Sequence, residues 1–380
     1  MTKTTVKLLA MRTAFVLIAL AVIPAVNAQE IVLGQIGPFT VLPVPDAPEI
    51  NQGIKAYVNE ANKQGIRGRK ISFFEADDRY SADGFVEQFK KSLDKKPVAL
   101  LSPIGSNALK RLLDDKLLDN ADVLVMNAIP GAESFRAPGH PKLFHIRAGD
   151  KQQIEKMVTH SRTIGMTRLS VLYQDLPIGT SGMAVAQDAA SRTAGLELKG
   201  VKSAPDAPAL ATASQQIVAL GGQGVLILGA PRFMAEGVAA LRKAGVSQSI
   251  FVLSYVPSGL IVKLAGVEGA RGVGIAQTYP NPNGRTLPIH RDFEAAMKGS
   301  FPQLTQYTSF HLEGYLSART VAEALKRNTE KEPTAAGLAK TLRAMGEIDF
   351  GGFRVDFSRS NIGSNFVDIA VIGSDGKLRY

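Results

Sequence analysis

The chain has 380 residues, a formal net charge of +10, 45% hydrophobic and 21% charged residues, and no cysteine. That length exceeds one ordinary core and predicts two units of normal domain size. Absent cysteine rules out disulfides and thiolate chemistry, and basic residues interspersed with Asp and Glu, not clustered with aromatics, argue against a nucleic-acid surface.

Residues 1–28 read as a secretory signal peptide. Lys3, Lys7 and Arg12 precede the apolar run "AFVLIALAVIPAV", and Val26-Asn27-Ala28 offers small residues for cleavage after Ala28. A single membrane anchor is the alternative, but the run is shorter than the roughly 20 residues a span needs. Cleavage lowers the net charge to +7, because three basic residues and no acidic ones leave. No later apolar run reaches membrane length.

A short apolar strand, Ile31 to Ile36, runs into a turn-rich loop, Gly37 to Pro48. A helix follows from Pro48 or Glu49 to Gly65, with Ile50, Ile54, Tyr57, Val58 and Ala61 on one face. The strand Lys70 to Ala76 then ends in Asp77 and Asp78, which read as caps of the next helix in preference to an acid/base pair. Strand, crossover helix, strand makes the sheet parallel, and ligands of such sheets lie beyond the carboxyl ends of the strands. The Gly37 to Pro48 loop is therefore the first candidate binding wall.

The alternation continues. Ala82 to Lys95 is a helix, Val98 to Ser102 a buried strand, and "PIGSNA" opens a helix with Leu109, Leu112, Leu113 and Leu117. Val123 to Met126 is a strand before the loop "NAIPGAESF", and Leu143 to Arg147 closes this block. A helix from Asp150 to Ile164 starts a second block, with strands at Leu169 to Tyr173, Glu197 to Val201, Val225 to Gly229, Ile250 to Ser254 and Val273 to Gln277. Its helices are Met183 to Ala194, Ala209 to Leu220 and Met234 to Ala244. After "YPNPNGR" come helices through Phe293 and Phe310 and a third from Thr334 to Met345. "FRVDF" and "FVDIAVI" read as an antiparallel hairpin pair. The expected fold class is α/β, with two doubly wound Rossmann-like lobes joined by a three-segment hinge.

Catalytic signals are scarce. "GVEGARGVG" leads into a strand, not a helix, so it is no dinucleotide fingerprint, and "GTSG" lacks the full serine-elbow spacing. His140, His145, His160, His290 and His311 show no paired ligand spacing, so no metal site is expected. What remains is a set of loops at equivalent strand ends. Ser106, beside Gly105 at a helix opening, suits a carboxylate or phosphate. Asn127 and Gly131 sit in "NAIPGA", where a missing side chain allows close approach. In the second block "QDLPIG" and "SYVPSG" bring Gln174, Asp175, Ile178, Ser254 and Tyr255. Each alone is a plain strand-to-helix turn, and together they make a cleft.

The segments "GQIGPFT", "NQGIKAYVNEANKQGIRGRKI", "EADD", "LLSPIGSNA", "FHIRAGDKQQ", "LSVLYQDLPIG" and "HLEGYLSARTVAEAL" occur in the order found in type I periplasmic binding proteins. The chain most resembles the branched-chain amino acid receptors of ABC importers, over essentially its whole mature length. That resemblance implies lobe 1 at 29–148 plus 279–350, lobe 2 at 149–278 plus 351–380, and a small ligand between them. It implies that Ser106 and Asn107 bind a ligand carboxylate, and that Asn127, Ala128, Ile129, Pro130 and Gly131 take part of the α-amino and carboxylate group. The second lobe would add Ile178, Ala230 and Tyr255.

The sequence departs from the amino-acid binders at two of these positions. An aromatic residue usually stands where Ile178 does, and an acid that meets the ammonium where Tyr255 does. A buried ammonium without a carboxylate costs several kcal/mol, which favours a solute lacking a free α-amino group, such as an aromatic or aliphatic carboxylate. The resemblance implies an exported, non-enzymatic, monomeric solute receptor of the periplasm. It needs no cofactor or metal, binds no nucleic acid, and hands its ligand to ABC permease subunits in the inner membrane. A receptor signalling to a membrane kinase and, less favoured, an exported enzyme on a doubly wound scaffold are the alternatives.

Overall fold

The computed structural model describes residues 30–41 and 46–380. The expected signal peptide and its cleavage after Ala28 lie outside the described residues, as does part of the Gly37 to Pro48 loop.

Five parallel strands form the first sheet: β1 (Ile31–Gly37), β2 (Ile71–Asp77), β3 (Ala99–Leu101), β4 (Leu124–Met126) and β5 (Leu143–Phe144), in the order β2-β1-β3-β4-β5. Their apolar residues are covered on both faces, as a doubly wound sheet requires. Ile36, Leu100 and Val125 meet Phe85 and Phe89 of α2 (Ala82–Ser92) and Leu109 and Leu112 of α3 (Ser106–Asp114) on one face. Leu33, Leu101 and Met126 join the main core with Ile50 and Ile54 of α1 (Asp46–Gln64) on the other. The first helix begins two residues before Pro48, which sits in the first turn, where its missing N–H forfeits no intrahelical bond.

The second sheet carries β6 (Arg168–Gln174), β7 (Glu197–Ser203), β8 (Gly224–Leu228), β9 (Ser249–Val252) and β10 (Val273–Gln277) in parallel. Around it run α4 (Asp150–Thr163), α5 (Pro177–Ser191), α6 (Ala207–Leu220), α7 (Pro231–Lys243) and α8 (Ser258–Ala270). The last of these was not anticipated: Gly259, Gly266 and Gly269 obscure its pattern, and Gly266, at φ +72°, kinks it. Proline opens both α5 and α7, so these helices start earlier than their apolar periodicity suggests.

The chain then returns to the first sheet through α9 (Pro288–Ser300), α10 (Ser309–Arg327) and α11 (Ala335–Ala344). Helices α1 and α10 pack with backbones close together, because a side chain at Gly53 would strike the His311 carbonyl and one at Gly314 the Ile50 carbonyl. The expected C-terminal hairpin is not formed. Instead β11 (Ile348–Asp349) pairs with β12 (Arg354–Val355), while β13 (Asp368–Ile372) lies antiparallel to β10 and to β14 (Leu378–Arg379). Both stretches have strand composition, but "FRVDF" finds its partner upstream and "FVDIAVI" fills a free edge of the second sheet.

Three connections therefore run between the sheets: after β5, after β10, and before β13. They are held together by rings. Phe357 meets Phe144 edge-on at 5.2 Å, and Phe353 lies 5.3 Å from Tyr279 and 6.2 Å from Phe366.

Candidate functional site

The loops beyond the strand ends are fixed by hydrogen bonds their own sequences supply. Asp77 does not cap α2, whose N-cap is Ser81. Its carboxylate accepts from the backbone N–H groups of Phe39 (2.9 Å), Thr40 (3.3 Å) and Arg79 (3.1 Å) and from the Thr40 hydroxyl. These donors hold the Asp77 carboxyl below its ordinary range even though desolvation pulls the other way. The start of the β1–α1 loop is thereby tied to the end of β2. At the ends of β3 and β4, Ser102 (φ +49°) and Asn127 (φ +63°) turn through the left-handed region, the second at lower cost because asparagine tolerates it.

The sequence-derived residues differ in burial and in what they touch. Ser106 and Asn107 are exposed in the first turn of α3, beyond Gly105. Ala128, Ile129 and Pro130 are buried, and the Ile129 N–H donates to the Pro103 carbonyl at 3.0 Å, joining neighbouring loops. Asn127 is wholly buried and does not fit a ligand contact. Its Nδ2 donates to Tyr279, Glu313 and Ser317 at 3.0–3.1 Å, and its Oδ1 accepts from the N–H groups of Ile146 and Arg147. Nothing is left over for a solute. Beyond the strand ends of the second sheet, Ile178 in the first turn of α5 and Ala230 at the N-cap of α7 are half-buried, and the Ala230 N–H donates to Gln174 Oε1 at 2.8 Å.

Gly131 and Tyr255, one from each half, do meet. A side chain at position 131 would overlap the Tyr255 hydroxyl and the Asp150 carboxyl. The Tyr255 hydroxyl donates to Asp150 Oδ1, and burial raises its pKa, as does the neighbouring Asp150 charge. Its ring lies under the Arg147 guanidinium, 4.8 Å from centroid to Cζ.

Arg147 is the residue that sequence reasoning passed over. It sits on the first connection, donates through Nη1 to Glu313 of α10 and through Nη2 to Ser254 at 2.6 Å, and so touches both halves. Ser254 in turn donates to Gln153 Oε1 at 2.8 Å. Burial disfavours the Arg147 charge, but Glu313 and the surrounding tyrosines outweigh it and hold its pKa above the ordinary value. Burial pushes the Glu313 carboxyl up, against the pull of Arg147, Asn127 and Tyr279. The visible signal was "FHIRAGD" followed far downstream by an acid, Glu313, on the otherwise apolar face of "SFHLEGYLSARTV".

Among the described residues no group of three His, Cys, Asp or Glu is arranged to hold a metal. His145 is buried beside Arg136, and burial followed by that charge lowers its pKa well below the usual value, so the ring is neutral. A cavity of about 790 Å³ lies over α6 and α7 and reaches the strand ends only at Gln174 and Ala230. Its lining includes Leu210, Phe233 and Ala240.

Comparisons with known proteins agree with this architecture. The sequence profile of a family described as "Periplasmic binding protein" matches residues 30–376. An extracellular ligand-binding receptor from Verminephrobacter eiseniae ef01-2 is 61% identical with a TM-score of 0.88, the alignment covering 93% of this chain and all of that one. A substrate-binding periplasmic protein from Ralstonia solanacearum is 26% identical with a TM-score of 0.81, covering 92% of this chain and 99% of that one. A "possible leucine/isoleucine/valine-binding protein" from Rhodopirellula baltica SH 1 shares the fold at 18% identity and a TM-score of 0.79, covering 93% of this chain and 97% of that one. No curated protein matches.

Proposed function

The chain belongs to the periplasmic binding protein family, and from that premise we propose that it is the solute-binding component of an ABC importer, capturing a small amino-acid-like or carboxylate solute between two lobes. The observation that carries this reading is the meeting of Gly131 with Tyr255, which brings strand-end loops of the two sheets to one gap. Loops that reach a solute from both sides bind it fully only when the lobes are closed, so binding shifts an opening equilibrium.

We place lobe 1 at 29–148 plus 279 onward and lobe 2 at 149–278 plus the C-terminal strands. A third connection near residue 363 in place of 350 is supported by the backbone hydrogen bonds that His145 exchanges with Asn361 and Gly363. The solute wall comprises Ser106, Asn107 and Gly131 from lobe 1 with Ile178 and Ala230 from lobe 2, and Tyr255 closes its base. Capture alone is assigned, with permease subunits of the inner membrane as the receiving partner, a periplasmic location, export by residues 1–28 and a monomeric state.

A thermal-shift screen of the mature protein across amino acids, organic acids and aromatic acids tests this. A solute at a hundredfold its Kd adds about 2.7 kcal/mol of stability and raises Tm visibly. A saturable rise for a few related solutes is expected. No rise across the whole panel overturns the assignment.

A further inference from the structure

Arg136 is 3% exposed and lies against the first interlobe connection. Its Nη1 donates to the Arg147 carbonyl at 2.8 Å. A side chain on Gly149 would begin 3.0 Å from Arg136 Cδ and 2.9 Å from the Gly131 carbonyl, which accepts from the Asp150 N–H at 2.9 Å. Arg136, the Gly131 loop and the start of α4 therefore converge on Gly149. Nε and Nη2 of Arg136 are buried and have no hydrogen-bond partner. These two N–H groups share one edge of the guanidinium, the edge that grips a carboxylate bidentately. Two acids stand near it. Glu133, in the turn Glu133–Phe135, has a buried Oε1 that is likewise unpartnered. Asp150 is 8% exposed, and its Oδ1 accepts from the Tyr255 hydroxyl. Among the described residues Asp150 Oδ2 takes no hydrogen bond, and neither acid forms an ion pair with Arg136.

A buried guanidinium with two idle donors is unfavourable until an acceptor reaches them. His145 beside it is neutral and offers no counter-charge. Glu133 shares the turn that leads into Arg136, so its distance from the guanidinium does not depend on the angle between the lobes. On the assigned boundaries Asp150 belongs to lobe 2, at the far side of the connection. Of the two distances, only that to Asp150 changes when the lobes move.

We propose that Arg136 is an interlobe latch, whose Nε and Nη2 edge pairs with Asp150 when a solute closes the lobes and with Glu133 when they part. The proposal rests on the solute-capture reading and adds a device that sets how long a solute is held. Arg136 touches no solute in this role. It is a positioning residue that acts through Asp150, and so on Tyr255 and the Gly131 loop. A pair made only in the closed state raises solute affinity, because closure is what completes the site. A pair made only in the open state lowers it. Arg136 and Asp150 therefore favour capture, and Glu133 opposes it.

The test titrates leucine, 4-methylpentanoate and benzoate into wild type and variants, with release rates read by stopped flow. The variants are Arg136→Met, Arg136→Lys, Asp150→Asn, Glu133→Gln and the double change Arg136→Met with Asp150→Asn. For the probes that bind wild type, Arg136→Met and Asp150→Asn should each weaken affinity about tenfold, mainly through faster release. The double variant should be no weaker than either single one. Arg136→Lys keeps the charge without the fork and should recover only part of the loss. Glu133→Gln should strengthen affinity about threefold, a direction that lost packing does not produce. Glu133 is half-buried, so this variant keeps the latch testable where an Arg136 variant fails to fold. Additive losses in the double variant, unchanged affinity in Arg136→Met, or weaker binding in Glu133→Gln overturns the latch and leaves solute capture standing. Silence of wild type toward these probes and the whole wider panel overturns solute capture, and the latch falls with it.

Discussion

Arg147 and Glu313 form an ion pair in which the two side chains are 2% and 0% exposed. The pair joins the first interlobe connection to α10, and Asn127 and Tyr279 complete the shell around Glu313. Removing one partner strands the other. Arg147→Met is expected to lose about 3–5 kcal/mol in urea unfolding, and the double variant with Glu313→Leu to recover part of that. A loss below about 1 kcal/mol for the single change contradicts the assigned role.

Gly131→Ala tests the contact between the lobes. The added methyl would overlap the Tyr255 hydroxyl, so solute affinity should fall at least tenfold while the unfolding midpoint of each lobe moves little. Tyr255→Phe in the same chain removes one of the two obstructing oxygens, the Asp150 carboxyl being the other, and should restore part of the binding. Full affinity in Gly131→Ala would show that the loops do not close on each other.

Asp46 makes stability depend on pH. Its carboxyl is raised from 3.8 to about 7 in the folded chain, so the unfolded chain gives up that proton more readily. The stabilisation is whole below about pH 4 and is lost as pH climbs to 7, up to about 4 kcal/mol at 1.36 kcal/mol per pH unit. Asp46→Asn should flatten the Tm profile between pH 4 and 7. An unaltered profile places the titration elsewhere.

Asp77→Ala removes the acceptor shared by Phe39, Thr40 and Arg79. Loss of these bonds should cost about 1–3 kcal/mol and weaken solute binding several-fold, with Asp77→Asn recovering part of both. Intact affinity in Asp77→Ala would separate the β1–α1 loop from the site.

The architecture was legible because strands such as "VALLS" and helices such as "NQGIKAYVNEA" carry clean apolar periods. Helix α8 was not, since its glycines dilute the pattern, and the C-terminal pairing was not, because strand composition does not name a partner. Within the cleft, the loops were found by their position at strand ends. Sequence could not tell that Asn127 spends both ends of its amide internally, or that Asp77 ties down a neighbouring loop instead of capping a helix. Those outcomes depend on residues far away in the chain, such as Glu313 and Thr40, which only folding brings within reach.

The central claim is that two hinged lobes close on a solute. Because the natural chain has no cysteine, Lys110→Cys on α3 and Ser181→Cys on α5 can carry a donor and an acceptor dye without side labelling. Energy transfer between them, measured while titrating a solute that raises Tm, should change saturably along the same curve as binding. Saturable binding with constant transfer would contradict the account.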